Sequence, residues 1–209
     1  GSSDKALAMI GAAKAAGADC VKFQWYDTDY LLGLPDSPAR RRRLEIEGWL
    51  RKSEMDEEFG DVRDYCREVG IDFLATPFGP RQVEQALGLG LKELKVYAGA
   101  YKDEALSAAL VASSLPLWVS INPDRITHNS RFLSQSRALL HCVSEYPCPM
   151  EKLELRHLKV LSQVSVMLDV WGEQPAVGLS DHTVELGTGA AAVRAGATVL
   201  EKHFRLADD

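Results

Sequence analysis

Two short segments toward the C-terminal end of the chain carry the most chemistry. GLSDHT spans 178–183 and VLEKHF spans 199–204, and each places a histidine, His182 and His203, at the end of an apolar run. Side chains alternate along a strand, so Ser180 and His182 share one face of the first segment, with Asp181 opposite. In the second, Glu201 and His203 share a face, while Lys202 and Phe204 point the other way. If the two segments are neighbouring strands, the imidazoles stand about 5 Å apart laterally. That separation suits a divalent cation with positions left open for water or substrate. A pair of hydrogen-bonded core histidines is the alternative. His141 lies earlier on its own run and reads as structural. His128 and His157 fall in helical or loop segments and read as surface residues.

Lysines and hydroxyls form a second set. In CVKFQ, Val21 and Phe23 share one face and Lys22 and Gln24 the other. A lysine on an interior face is costly without an anion beside it, so Lys22 points to phosphate or carboxylate binding; a side chain snorkelling to solvent is the alternative. Lys95 comes late in LKELKVYAG, whereas Lys92 lies nearer the start and reads as a solvated charge. Thr76, Ser120 and Ser180 are hydroxyls at the ends of apolar runs. Each alone is unremarkable, but together with the lysines they make a phosphate cradle without a P-loop. Ser144 and Tyr146 precede a proline turn in HCVSEYPCP, where Tyr146 could touch a polar ligand or pack the loop.

The elements that must position these residues alternate along the chain. Strands are expected at 19–24, 72–78, 91–99, 115–121, 138–144, 175–182 and 198–204. Helices are expected at 4–16, 56–69, 81–89, 103–113, 150–163 and 184–195, with a weaker one at 124–136. Strict alternation with strongly apolar strands implies a parallel sheet covered by helices. Glycines 17, 70 and 196 follow three helices as C-terminal caps. Seven strands after an opening helix suggest an α/β (β/α)₈ TIM barrel lacking its first strand and last helix. The rival, a doubly wound open sheet, usually carries G-x-G-x-x-G in its first turn, and that motif is missing.

Bulk composition limits the function classes. The 209 residues are 46% hydrophobic and are read as one domain with a sizeable core. A formal net charge of −6 argues against a general nucleic-acid binder. The basic run Arg40–Arg43 reads as a solvated helix start. No C-x-x-C pair occurs among Cys20, Cys66, Cys142 and Cys148, which are expected to be reduced and mostly buried in a cytoplasmic protein. No apolar run approaches a membrane span.

The stretches AAKAAGADCVKFQ, GIDFLATPF, LKVYAG, LLHCVSEYP, VGLSDHT and GATVLEKHF, taken in order, resemble the barrel domain of the sialic acid synthase family. That family includes N-acetylneuraminate, legionaminic and pseudaminic acid synthases and spore coat polysaccharide relatives. The resemblance runs from Ala12 to Phe204. It implies a barrel that condenses phosphoenolpyruvate with an N-acetylated amino-sugar to a nine-carbon 2-keto acid, releasing phosphate. It places metal ligation on His182 and His203, with Mn²⁺ the usual ion and Mg²⁺ or Co²⁺ as substitutes. Phosphoenolpyruvate contacts fall on Lys22, Thr76, Lys95, Ser120 and Ser180. Sugar contacts fall on Gln24 and Tyr146, with Ser144 where the family often has asparagine. A homodimer is implied as well.

The departures from the family pattern lie elsewhere. Its acid/base glutamate belongs to the first strand, and its C-terminal antifreeze-like domain has no counterpart in this sequence. Lys-Ile-x-Ser-Gly-(Glu/Asp) is replaced by Lys95-Val96-Tyr97-Ala98-Gly99-Ala100, and Ser-Thr-Gly-Met by Ser120-Ile121-Asn122-Pro123. Two further readings therefore stand beside the synthase: a non-catalytic barrel that binds phosphoenolpyruvate or a sugar phosphate, and a Schiff-base lyase using Lys95 or Lys22.

Overall fold

Parallel β-α alternation organises the chain, as the periodicity predicts. The computed structural model describes residues 2–35, 44–48, 51, 58–168, 170 and 172–206. The basic run at 40–43 and the expected helix start at 56–57 lie outside the described residues. By internal contacts the chain divides into two units, Gly1–Lys92 with Arg205–Asp209, and Glu93–Phe204.

The first unit contains α1 (Ser3–Ala15), β1 (Cys20–Trp25), α2 (Thr28–Gly33), α3 (Phe59–Val69), β2 (Asp72–Pro77) and α4 (Pro80–Gly88). β1 and β2 pair in parallel, Lys22 opposite Leu74 and Gln24 opposite Thr76. On the other face, Trp25 stacks on Phe59 of α3 at 3.9 Å between ring centroids. Phe23 and Phe73 pack around the same ring. The expected parity of CVKFQ therefore holds: Phe23 and Trp25 face the helix, which leaves Lys22 and Gln24 on the opposite face. Gly70 ends α3 at φ 71°, a left-handed conformation that glycine adopts without a Cβ clash. α2 was not expected. Its signal is Asp27, whose carboxylate accepts from the Tyr30 backbone N–H at 2.9 Å as an N-cap.

The second unit contains β3 (Leu94–Val96), α5 (Glu104–Ala112), β4 (Leu117–Ile121), α6 (Ser130–Leu133), β5 (Ser136–Cys142), α7 (His157–Val166), β6 (Ala176–Asp181), α8 (Thr188–Arg194) and β7 (Val199–Lys202). The strands form one parallel sheet in the order β3-β4-β5-β6-β7. That order never reverses, so this sheet lacks the switch point of a doubly wound fold. α7 packs on β5 and β6, and α8 on β6. Leu139, Leu179, Leu117, Val119 and Ile121 are completely buried, and they share the parity that meets the helices.

Several boundaries differ from expectation. β3 is three residues long, because the chain enters a turn of 3₁₀ helix at Ala100–Lys102 directly after Tyr97-Ala98-Gly99. The helix expected at 150–163 is split. A 3₁₀ turn spans Met150–Lys152, then Leu153 turns extended before α7 begins at His157. His157 is not a surface residue. Its side chain is 16% exposed and packs edge-on against His141 at 5.0 Å, on the helix-facing side of β5. His141 is thus structural, as expected, and His128 is exposed against Tyr101. Three of the four free cysteines are buried; Cys20 is exposed.

Candidate functional site

Register in the five-stranded sheet brings one set of polar residues together on the face away from the helices. Lys95 stands opposite Trp118, and Ser120 follows two residues on. Cys142 pairs with Ser180, and Ser180 with Glu201. One face therefore carries Lys95, Ser120, Cys142, Ser180 and Glu201, with His182 and His203 just past the ends of β6 and β7.

One half of this face centres on Lys95, which is 3% exposed. Its ammonium donates to the Ser120 hydroxyl at 2.6 Å and to the Val96 carbonyl at 3.1 Å, and lies 3.5 Å from Glu201 Oε2. A buried cation needs such partners. Burial pushes the Cys142 thiol up, against the opposing pull of Lys95 and of hydrogen bonds from the Ser180 and Ser144 side chains. Cys142 and Glu201 were not among the residues singled out for the site. The signal for both is parity: each lies two residues before a chosen residue, Ser144 or His203.

The imidazole half is equally specific. The His182 and His203 rings lie 5.4 Å apart between centroids, and Tyr146 covers both, at 4.0 Å from His182 and 5.5 Å from His203. His182 Nδ1 lies 2.7 Å from the Val143 carbonyl. A carbonyl can only accept, so Nδ1 carries the proton and Nε2 offers its lone pair. Burial lowers the His182 pKa, partly offset by that hydrogen bond, so the ring stays neutral at pH 7. A neutral imidazole whose second nitrogen is tied to a carbonyl is the arrangement metal-binding histidines commonly adopt. Among the described residues no group of three or more His, Cys, Asp or Glu side chains is arranged to hold an ion. Among the described residues the two imidazoles are the donors placed to hold an ion here, with water or substrate left to complete its shell.

The remaining candidates are placed as follows. Ser144 and Tyr146 are exposed in the loop after β5, which ends at Cys142 rather than at 144. In the first unit, Lys22, Gln24 and Thr76 share the face of β1 and β2 opposite the aromatic cluster. The Thr76 hydroxyl is buried and has no hydrogen-bond partner among the described residues, which suits a ligand contact. Gln24 Oε1 accepts from the Tyr26 hydroxyl. Ala98 and Ala100 lead into the 3₁₀ turn, and Ala100 is fully buried.

A parallel α/β fold with a buried lysine and paired imidazoles beyond its strand ends has counterparts among known proteins. Residues 9–209 match the NeuB family, and the chain belongs to that family. It is 28% identical to the N,N'-diacetyllegionaminic acid synthase of Legionella pneumophila, over 95% of this chain and 58% of that protein. It is 30% identical to the spore coat polysaccharide biosynthesis protein SpsE of Bacillus subtilis, over 99% of this chain and 57% of that protein. Its structure is similar to that of the N-acetylneuraminic acid synthetase of Leptospira borgpetersenii, with a TM-score of 0.80 and 26% identity, covering 97% of this chain and 68% of the other. The chain thus spans a little under three-fifths of the curated relatives' length.

Proposed function

We propose that the chain carries the catalytic barrel of a metal-dependent synthase that joins phosphoenolpyruvate to an N-acetylated amino-sugar. The observation that carries this reading is the single sheet face on which Lys95, Ser120 and Ser180 adjoin the His182–His203 pair. The family resemblance supports a (β/α)₈ barrel, and the sequential strand order within the five-stranded sheet fits that reading.

Lys95 and Ser120 hold phosphate or carboxylate oxygens with charge-assisted hydrogen bonds. Lys22, Thr76 and Ser180 complete the phosphoenolpyruvate contacts, and Gln24, Ser144 and Tyr146 those to the sugar; the family resemblance supports these assignments. His182 Nε2 and His203 would hold a divalent cation, Mn²⁺ in the first instance, which supplies Lewis acidity toward a carbonyl oxygen. Tyr146 shields both imidazoles from water on one side. In the reaction, C3 of phosphoenolpyruvate attacks the aldehyde carbon and the carbonyl oxygen gains a proton. C2 becomes an oxocarbenium, adds water and loses a proton. The tetrahedral carbon then expels inorganic phosphate by C–O cleavage, leaving the 2-keto acid.

The lyase reading fits less well, because Lys95 sits between a carboxylate and a hydroxyl rather than in the apolar pocket a Schiff-base lysine needs. The intact protein with Mn²⁺, phosphoenolpyruvate and a panel of N-acetylated hexosamines tests the proposal. Phosphate release that depends on one sugar of the panel is expected. Phosphoenolpyruvate binding with no turnover of any of them would favour the non-catalytic barrel, and trapping by borohydride would favour the lyase.

A further inference from the structure

The backbone ladder of β6 and β7 ends at Asp181 opposite Lys202. His182 and His203 each stand one residue beyond it, where no strand pairing holds them together. Behind them, on the helix-facing side, lies a dense polar knot. Lys202 Nζ donates to Asp181 Oδ2 at 2.6 Å, to the Thr183 carbonyl at 2.8 Å and to the Glu185 carbonyl at 3.3 Å. Asp181 Oδ1 accepts from the Thr183 backbone N–H at 2.9 Å and from its hydroxyl at 2.8 Å, and that hydroxyl lies 2.9 Å from Thr188 Oγ1. Asp181 is 2% exposed.

We propose that the Asp181–Lys202 pair is a positioning clamp for the two imidazoles and sets the divalent-cation affinity of the site. Residues adjacent in a strand point to opposite faces, so a bond between Asp181 and Lys202 fixes where His182 and His203 emerge. Four acceptors from three residues around one ammonium leave the strand ends little freedom to separate. The Thr183 ties then fold the chain back directly after His182, so the ring meets Val143 rather than turning to solvent. Both side chains of the pair lie on the face opposite the imidazoles. The clamp rests on the metal reading above only for its effect on affinity; its effect on the rings stands alone.

The test compares Asp181→Asn, Lys202→Met, Lys202→Arg and Thr183→Val in the intact protein. Mn²⁺ titration of the metal-free protein, with free ion read by EPR, is expected to show about 10-fold or more weaker binding for Asp181→Asn and Lys202→Met. Lys202→Arg, which keeps the charge and donors, restores most of the affinity. Without metal, histidine ¹⁵N NMR is expected to show the Nδ1–H tautomer of His182 in the wild type and Lys202→Arg, and a mixture in Lys202→Met. Thr183→Val removes the hydroxyl's ties to Asp181, Thr188 and Lys202, keeps the ion pair and gives an intermediate loss, so it decides the matter should a charge variant fail to fold. Folded Lys202→Met or Thr183→Val with wild-type tautomer would overturn the clamp. A wild type that binds no Mn²⁺ would overturn the metal reading alone, with the tautomer comparison still deciding the clamp.

Discussion

At the scale of single residues, the proposed binding chemistry turns on Lys95, buried against Ser120 and Glu201. A hydrogen bond to a charged group contributes about 1.5–3 kcal/mol, so Lys95→Met is expected to weaken phosphoenolpyruvate binding about 10- to 100-fold by calorimetry. Ser120→Ala, which removes one neutral partner, should cost about fivefold, near 1 kcal/mol. The thiols give a separate check. Burial pushes Cys66 up to about 11 and raises Cys142 and Cys148 as well, so little thiolate exists at pH 8. Iodoacetamide mapped by peptide mass should therefore label exposed Cys20 first and the buried three only on unfolding. Parity set Lys22 on the face opposite Phe23 and put His182 and His203, just past the strand ends, on the faces of Ser180 and Glu201, while Lys95 and Ser120 stood out by their late position on a strand. It did not reveal Glu201 as the partner of Lys95, because β3 and β7 are not paired with each other, lie at opposite ends of the sheet order, and only the tertiary fold brings the two side chains within 3.5 Å. Nor did it reveal the burial of His157, which depends on where α7 starts.

At the scale of elements, the approach of β6 to β7 is what brings the imidazoles together. A Cβ on Gly178 would lie 2.2 Å from the Val199 carbonyl oxygen, closer than any side chain tolerates. Gly178→Ala must therefore push the strands apart. It is expected to lower the urea midpoint by the equivalent of about 1–3 kcal/mol and to weaken Mn²⁺ binding with it. Strand and helix order was readable because apolar runs and glycine caps recur with clear spacing. Element ends were less so. The break between Met150–Lys152 and α7 has no proline or glycine within it, and α2 is a six-residue helix whose one marker, Asp27, also serves Arg81 at 3.0 Å. Asp27→Ala should cost about 1 kcal/mol of stability through the lost cap.

At the scale of the whole molecule, no helix among the described residues is long and apolar enough to cross a membrane, and the formal net charge of −6 argues against a general nucleic-acid binder. The chain belongs to the NeuB family, and the substitutions around Ala98 and Ala100 leave the sugar of the proposed condensation to experiment. Activity should vanish on chelation and return with Mn²⁺, since two imidazoles and open positions make an exchangeable site. The central claim is that His182 and His203 together hold a divalent cation beside the Lys95 anion site. Pulsed EPR of the Mn²⁺-loaded protein tests it most directly. The account predicts modulation from two imidazole nitrogens, one of them lost in each of His182→Ala and His203→Ala; a bound Mn²⁺ whose nitrogen signals are absent, or unchanged by both substitutions, would contradict it.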